Sequence, residues 1–179
     1  MTASPDIIQL TRPDDADPAL RQELTSCWIA VTNAGGAAGF PFPPVNASHV
    51  APAVDALAAS LDPQRSRILL ARVNGTLAGW VVLSRHLSPL VAHWGTVNHL
   101  QTDLGFRSQG IGSALMRRLR LVACKEMGLE QLHLAARGGV GLEEFYGRLG
   151  WREVGRWPGK LRLAPDDTRD EILMMLAPL

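Results

Sequence analysis

"RSQGIGSALMRRL", Arg107 to Leu119, puts two glycines, Gly110 and Gly112, into the first turn of a segment that otherwise reads as a helix. Glycine inside a helix costs up to about 1 kcal/mol relative to alanine, so two of them two residues apart need a reason. The stretch follows the strand-like run "HWGTVNHLQTDL" (His93–Leu104) and opens a helix expected to reach about Met127, where Gly128 ends it. Ile111, Ala114 or Leu115, Leu119 and Val122 fall at helical spacing, while Arg117, Arg118, Arg120 and Lys125 lie mostly elsewhere and read as a solvated face. A strand-to-helix junction collects free backbone N–H groups and the positive end of the helix dipole. Glycine there lets the backbone approach an anion, and the pattern predicts a phosphate-bearing ligand. The spacing is not GxGxxG, because Leu115 stands at the third position, and no Lys-Ser/Thr pair makes a phosphate-binding Walker loop. The alternative is that both glycines only allow close helix–strand packing.

Outward from this stretch the elements alternate cleanly. "DIIQLT" is a first strand, and Asp14 or Asp15 opens a helix through about Val31 with Pro18 in its first turn. A Gly/Pro-rich loop (33–48) leads to a second helix, capped by Asn46 or Ser48 and ending near Leu61. "SRILLARV" and "TLAGWVVLSR" flank Asn74-Gly75, the signature of a type I′ hairpin. After the central helix come the strand "LEQLHLAAR", the short helix "GLEEFYGRL" stopped by Gly150, and the strands "WREVGRW" and "DEILMMLA". The order is β-α-α-β-β-β-α-β-α-β-β, an α/β chain of the mixed α+β kind, with no internal repeat. Residues 1–179 are expected to form one domain.

Apolar residues make up 46% of the chain, charged residues 20%, and the net charge is +1, so no basic field points to nucleic acid. "MTASPDIIQL" has neither a basic n-region nor an apolar run, and no window approaches 18 uninterrupted apolar residues. The expectation is a cytoplasmic protein with no membrane partner. Cys27 and Cys124 read as buried free thiols. The five histidines show no HExxH spacing and there is no paired CxxC, so no metal site is expected.

Arg107-Ser108-Gln109-Gly110-Ile111-Gly112 resembles the (Q/R)xxGxG/A loop of the GNAT family, the Gcn5-related N-acetyltransferases. "LEEFYGRLGWREVG" is similar to that family's segment after strand five, and the element order matches it throughout. The resemblance implies a single-domain GNAT fold, its mostly antiparallel sheet splayed at strands four and five, and acetyl-CoA as co-substrate. It implies direct acetyl transfer to the primary amine of a small molecule. "GGAAGFPFPP", "ARGG" and "RWPGKLRL" look like tabtoxin-resistance-type acetyltransferases within the family. The competing reading is an acyl-CoA-binding sensor or interaction domain without turnover.

On that resemblance, backbone N–H groups of Gln109, Gly110, Ile111, Gly112 and Ser113 hold the pyrophosphate, with Arg107 and Ser108 beside them. The main chains of Leu100 and Thr102 pair with the pantetheine arm. Tyr146, the only tyrosine, matches the family residue that protonates the departing thiolate, a task suited to a phenol. The position where relatives often carry a base falls on Thr96, followed on that face by Asn98, and neither accepts a proton near neutrality. Three routes stay open. A water held by Thr96 and Asn98 carries the proton, or His93 or His99 serves if a bulge turns it to the cleft, or an amine of low pKa needs no base. Phe40, Phe42, Trp157 and Trp28 are candidates for an acceptor wall, with core or dimer packing as the alternative for each tryptophan. Whether the chain forms a homodimer is left open. Glu143 and Glu144 read as the acidic first turn of the last helix.

Overall fold

The structure, a computed structural model, describes residues 4–36, 39–40 and 44–179. Seven strands form one sheet in the order β1-β2-β3-β4-β5-β7-β6. The strands are β1 (Asp6–Leu10), β2 (Ser66–Val73), β3 (Thr76–Arg85), β4 (Trp94–Thr102), β5 (Gln131–Arg137), β6 (Arg152–Ala164) and β7 (Asp167–Leu176). The helices are α1 (Pro18–Asn33), α2 (Ala47–Ala59), α3 (Ile111–Leu121) and α4 (Leu142–Gly147).

The β2–β3 hairpin is the centre of the core because its residues are apolar on both faces. Ile68 and Leu70 pack under α1 and α2, while Leu69 and Ala71 pack under α3. Its turn has Asn74 at φ 50° and Gly75 at φ 81°, the pair of positive values a type I′ turn requires. α1 and α2 therefore cover one face of this part of the sheet and α3 the other, while α4 packs on that second face farther along, against β5 and β6.

Several boundaries differ from the sequence expectation. The α1 cap is Asp17, whose side chain accepts from Leu20 N–H at 2.8 Å. Asp15 instead accepts from the Thr11 and Arg12 amides at 2.7 and 2.9 Å and holds a separate 3-10 turn. Pro18, with fixed φ and no donor, sets the true first turn. The α2 cap is Asn46, and Ser48 lies inside the helix. α3 does not run to Met127 as α-helix: it passes into a π turn over Val122–Glu126. Cys124 sits in that turn and Cys27 in α1, both free. β6 continues to Ala164, well past Trp157, and β7 begins at Asp167. Pro158-Gly159 reads as a break in sequence, yet an outermost strand tolerates a missing N–H, and a register shift between Trp157 and Leu161 absorbs it.

The parallel junction of the sheet sets the geometry of the site. β4 and β5 are its parallel neighbours, and they pair only at Trp94–Gln131, Gly95–Leu132 and Thr96–His133. Beyond Thr96 the strands diverge, as the resemblance implied.

Candidate active site

The fork between β4 and β5 opens into a cavity of about 660 Å³. Val97–Thr102 form one wall and Leu134–Arg137 the other. The end of α1 with Gly35, Gly36 and Phe40, then Leu142 and Tyr146 of α4, and Leu161–Leu163 with Glu171 complete the lining. Its size and mixed lining are those of a small-molecule site. With β5 turned away, β4 presents an unpaired strand edge along this wall, able to accept an extended polar chain.

β4 carries a bulge. Trp80 pairs with Gln101 and Val82 with Asn98, so His99 and Leu100 together face the single residue Val81. His99 takes φ 55°, and its ring is turned against Trp28 and Trp80, with centroids 4.8 and 6.0 Å away. Burial lowers its pKa below the ordinary 6.5, so the imidazole is neutral at pH 7 and free to accept a proton. Asn98 and His99 both line the cavity. His93 does not: it is exposed, precedes β4 at the opposite end of the strand and lies 3.3 Å from the Gln131 amide. Thr96 does not either. It sits where the sheet is still continuous, between Ser84 and His133.

Tyr146 faces the cavity from α4 with 7% of its surface exposed, packed against Phe145 and Trp151. Burial pushes its phenol up to about 12, so it holds its proton throughout the neutral range. Its hydroxyl has no hydrogen-bond partner among the described residues, so none of them competes for that proton.

The loop before α3 is built to expose amides. Ser108 has φ 61° and Gly110 φ 80°, the latter a left-handed N-cap. Such positive values turn successive N–H groups toward a common point. The first i→i−4 bond of the helix runs from Ala114 N–H to Gly110 C=O at 2.9 Å, so the amides before it have no such partner. A Cβ on Gly110 would meet nothing within 4 Å, whereas one on Gly112 would lie 3.4 Å from Phe145 and 3.6 Å from Thr102. The two glycines thus differ. Gly110 is required by conformation and fronts open space, and Gly112 lets α3 approach Thr102 and α4. Gln109 bonds back to Gly105 C=O at 3.1 Å, and Arg107 is exposed at the cavity margin. Leu100 and Thr102 line the cavity, while Ser108–Ser113 lie just outside it. Exposed amides, a helix dipole and an adjacent guanidinium fit a pyrophosphate.

The aromatic candidates separate. Phe40 lines the cavity, but Trp28 is core, 2% exposed and packed on Phe40 and Trp80 at 5.0 and 5.2 Å. Trp157 lies outside the cavity on β6, beneath the Lys160 ammonium at 3.8 Å. Phe42 lies outside the described residues. Glu143 and Glu144 occupy the first turn of α4, paired with Arg156 and Arg148. The sequence reading gave no role to Arg137, Gln101 or Glu171, all of which line the cavity. Gln101 is 2% exposed and its amide has no partner among the described residues. Arg137 stands within the quoted "ARGG", a charge at the end of an apolar strand, which was the available signal.

A fold with a strand-four bulge, a forked parallel pair and an amide-lined loop at the next helix defines a class of acyl-transfer proteins. Residues 64–153, half of the chain, match the family model described as "Acetyltransferase (GNAT) domain", and the chain belongs to that family. It is an acyltransferase, and acetyl-CoA is its co-substrate. No curated protein matches it by sequence. Among solved structures it is similar to the ribosomal-protein-S18-alanine N-acetyltransferase from Escherichia coli, at 18% identity and TM-score 0.71, covering 97% of this chain and 94% of that one. It is similar to an N-acetyltransferase from Staphylococcus aureus Mu50 at 14% identity and TM-score 0.72, covering 96% and 98%. An aminoglycoside 6'-N-acetyltransferase complexed with coenzyme A aligns at 16% identity and TM-score 0.70, covering 96% of each chain. Likenesses at these identities establish the shared fold.

Proposed function

We propose that the protein transfers the acetyl group of acetyl-CoA directly to the primary amine of a small molecule, both substrates being bound together in the forked cavity. The observation that carries this reading is that one cavity gathers a free strand edge, a neutral histidine and an unpartnered phenol beside an amide-rich helix start.

The pyrophosphate rests on the amides of Gln109–Ser113, with Arg107 and Ser108 alongside. The pantetheine arm lies along Leu100–Thr102, whose main chain pairs with it, and an N–H there polarises the thioester carbonyl. The amine nitrogen attacks that carbonyl, forming a C–N bond as the C–S bond breaks. Its proton passes to His99, which the bulge turns toward the cavity, with Asn98 orienting the amine. Tyr146 gives its proton to the departing thiolate, and solvent exchange returns a proton from His99 to Tyr146. Thr96 and His93 take no part. Holding both reactants in one geometry removes much of the barrier by orientation alone.

Similar folds named for a ribosomal-protein alanine and for an aminoglycoside leave the acceptor to be read from the cavity itself. Among the described residues no helix is long and apolar enough to cross a membrane. The test is release of free thiol from acetyl-CoA across a panel of small amines, alongside CoA binding by calorimetry. Thiol release that depends on an amine is the expected result. CoA binding without it would assign the chain to the non-turnover class.

A further inference from the structure

Arg137 ends β5 at the open side of the fork, opposite Glu171 of β7. Leu132, Leu134 and Ala136 of that strand lie in the core under α3, so Arg137 belongs to the alternate face, away from α3 and toward the end of α1. This is the face left for the acceptor once the pyrophosphate is placed at the start of α3.

Arg137 is half-buried, and among the described residues its guanidinium makes one long bond, to Gly35 C=O at 3.4 Å. A guanidinium carries five donors, and a partly desolvated cation without a counter-ion is costly. The carboxylates near it are all engaged elsewhere. Asp167 binds Arg169, Glu171 binds Lys160, and Asp170 binds Arg156. Arg162, on the same rim, has no ion pair among the described residues either. The acceptor end therefore holds two cations, Arg137 and Arg162, without a direct ion pair among the described residues; Asp167 acts on Arg137 only through space, its carboxylate being bound to Arg169. A polycationic amine would be repelled there, whereas an amine with its own anion would be drawn in by a planar fork suited to oxyanions.

Resting on the acetyltransferase reading, we propose that the acceptor is a small amine bearing an oxyanion, a carboxylate or phosphonate of the amino-acid kind, and that Arg137 is the specificity-determining residue that grips that oxyanion.

The experiment uses matched pairs: amino acids against their carboxamides, aminophosphonates as a second anion geometry, and spermidine as a polycation. kcat/KM for thiol release from acetyl-CoA is measured, together with binding of the same compounds to the protein–CoA complex by calorimetry. The wild type should favour the anionic member of at least one pair by about 10- to 100-fold, the range of one charged hydrogen-bonding partner. In Arg137→Gln that ratio should collapse toward one, and Arg137→Lys should restore part of it, with circular dichroism confirming the fold of both. Whether the carboxylate or the phosphonate series gains most tells which oxyanion is used. Equal or greater activity with carboxamides or spermidine, or an undiminished ratio in Arg137→Gln, overturns the proposal while leaving acetyl transfer standing. Preferential binding of anionic amines without any thiol release does the reverse. Absence of both binding and turnover for every amine, anionic or not, overturns both.

Discussion

Thr96 of β4 and His133 of β5 are the last residues paired across the parallel junction of the sheet. Everything beyond them on either strand faces the cavity or its rim. That boundary leaves Thr96, the position expected to carry a base, in continuous sheet, and puts Asn98 and His99, two and three residues on, in the cavity lining.

Gly110→Glu should weaken CoA binding by more than about tenfold, through a like charge beside the pyrophosphate amides. Gly110→Ala isolates the backbone contribution, since a left-handed φ of 80° costs a side-chain residue about 1–2 kcal/mol. Calorimetric affinities of the two variants should fall in that order. Unchanged affinity in Gly110→Glu removes the loop from the binding site.

Tyr146→Phe should lower kcat by about 10²–10⁴-fold while CoA affinity and melting temperature stay close to the wild type. The hydroxyl has no hydrogen-bond partner to lose among the described residues, so stability is spared. A kcat within twofold of the wild type excludes Tyr146 as the proton donor.

His99→Ala should reduce kcat by about 10²-fold. In the wild type the acidic limb of the kcat profile should lie below pH 6.5, because burial lowers the His99 pKa and the base stays neutral there. In the variant the limb should move up to follow the pKa of the amine. A variant with most of its activity and an unshifted limb would restore the water route. His93→Ala, remote from the cavity, should leave the profile in place.

Acid should destabilise the fold in a defined window. His99 and His133 both have lowered pKa values, first through burial and, for His133, also through His86 and His93. The unfolded chain takes up protons near pH 6.5 that the folded chain refuses, so stability is full above that pH and declines as pH falls below it. His133→Gln should flatten part of the decline. Urea unfolding at pH 7.5 and 5.5 measures it, and an equal slope in the variant contradicts the assignment.

Gly79→Ala should cost about 1–3 kcal/mol. A Cβ there would lie 2.6 Å from Gln101 C=O and 2.9 Å from Ile111, between β4 and α3. Chemical denaturation gives the value, and a neutral result would mean that β3 and α3 separate more easily than their packing implies.

Much of this protein was legible from local pattern. Asn74-Gly75 between two apolar runs dictated its hairpin, because a turn with two positive φ values admits few residue pairs. Gly110 marked the left-handed turn that opens α3, since backbone conformation is a property of a few consecutive residues. Tyr146 was found through its segment's likeness to a family. Boundaries set by competition between neighbours were less legible: Asp17 rather than Asp14 or Asp15 as the cap, the π turn ending α3, and β6 running through Pro158-Gly159.

What only the tertiary structure decided is which side chains meet. A bulge inserts one residue into β4 against β3, and that insertion, invisible in β4's own sequence, puts His99 beside Trp28 and Trp80 in the cavity. Arg137 became notable only once its neighbours' carboxylates were seen bound to other cations. Strand pairing and charge partnership join residues tens of positions apart, and the energies that select them arise from contacts no local window contains.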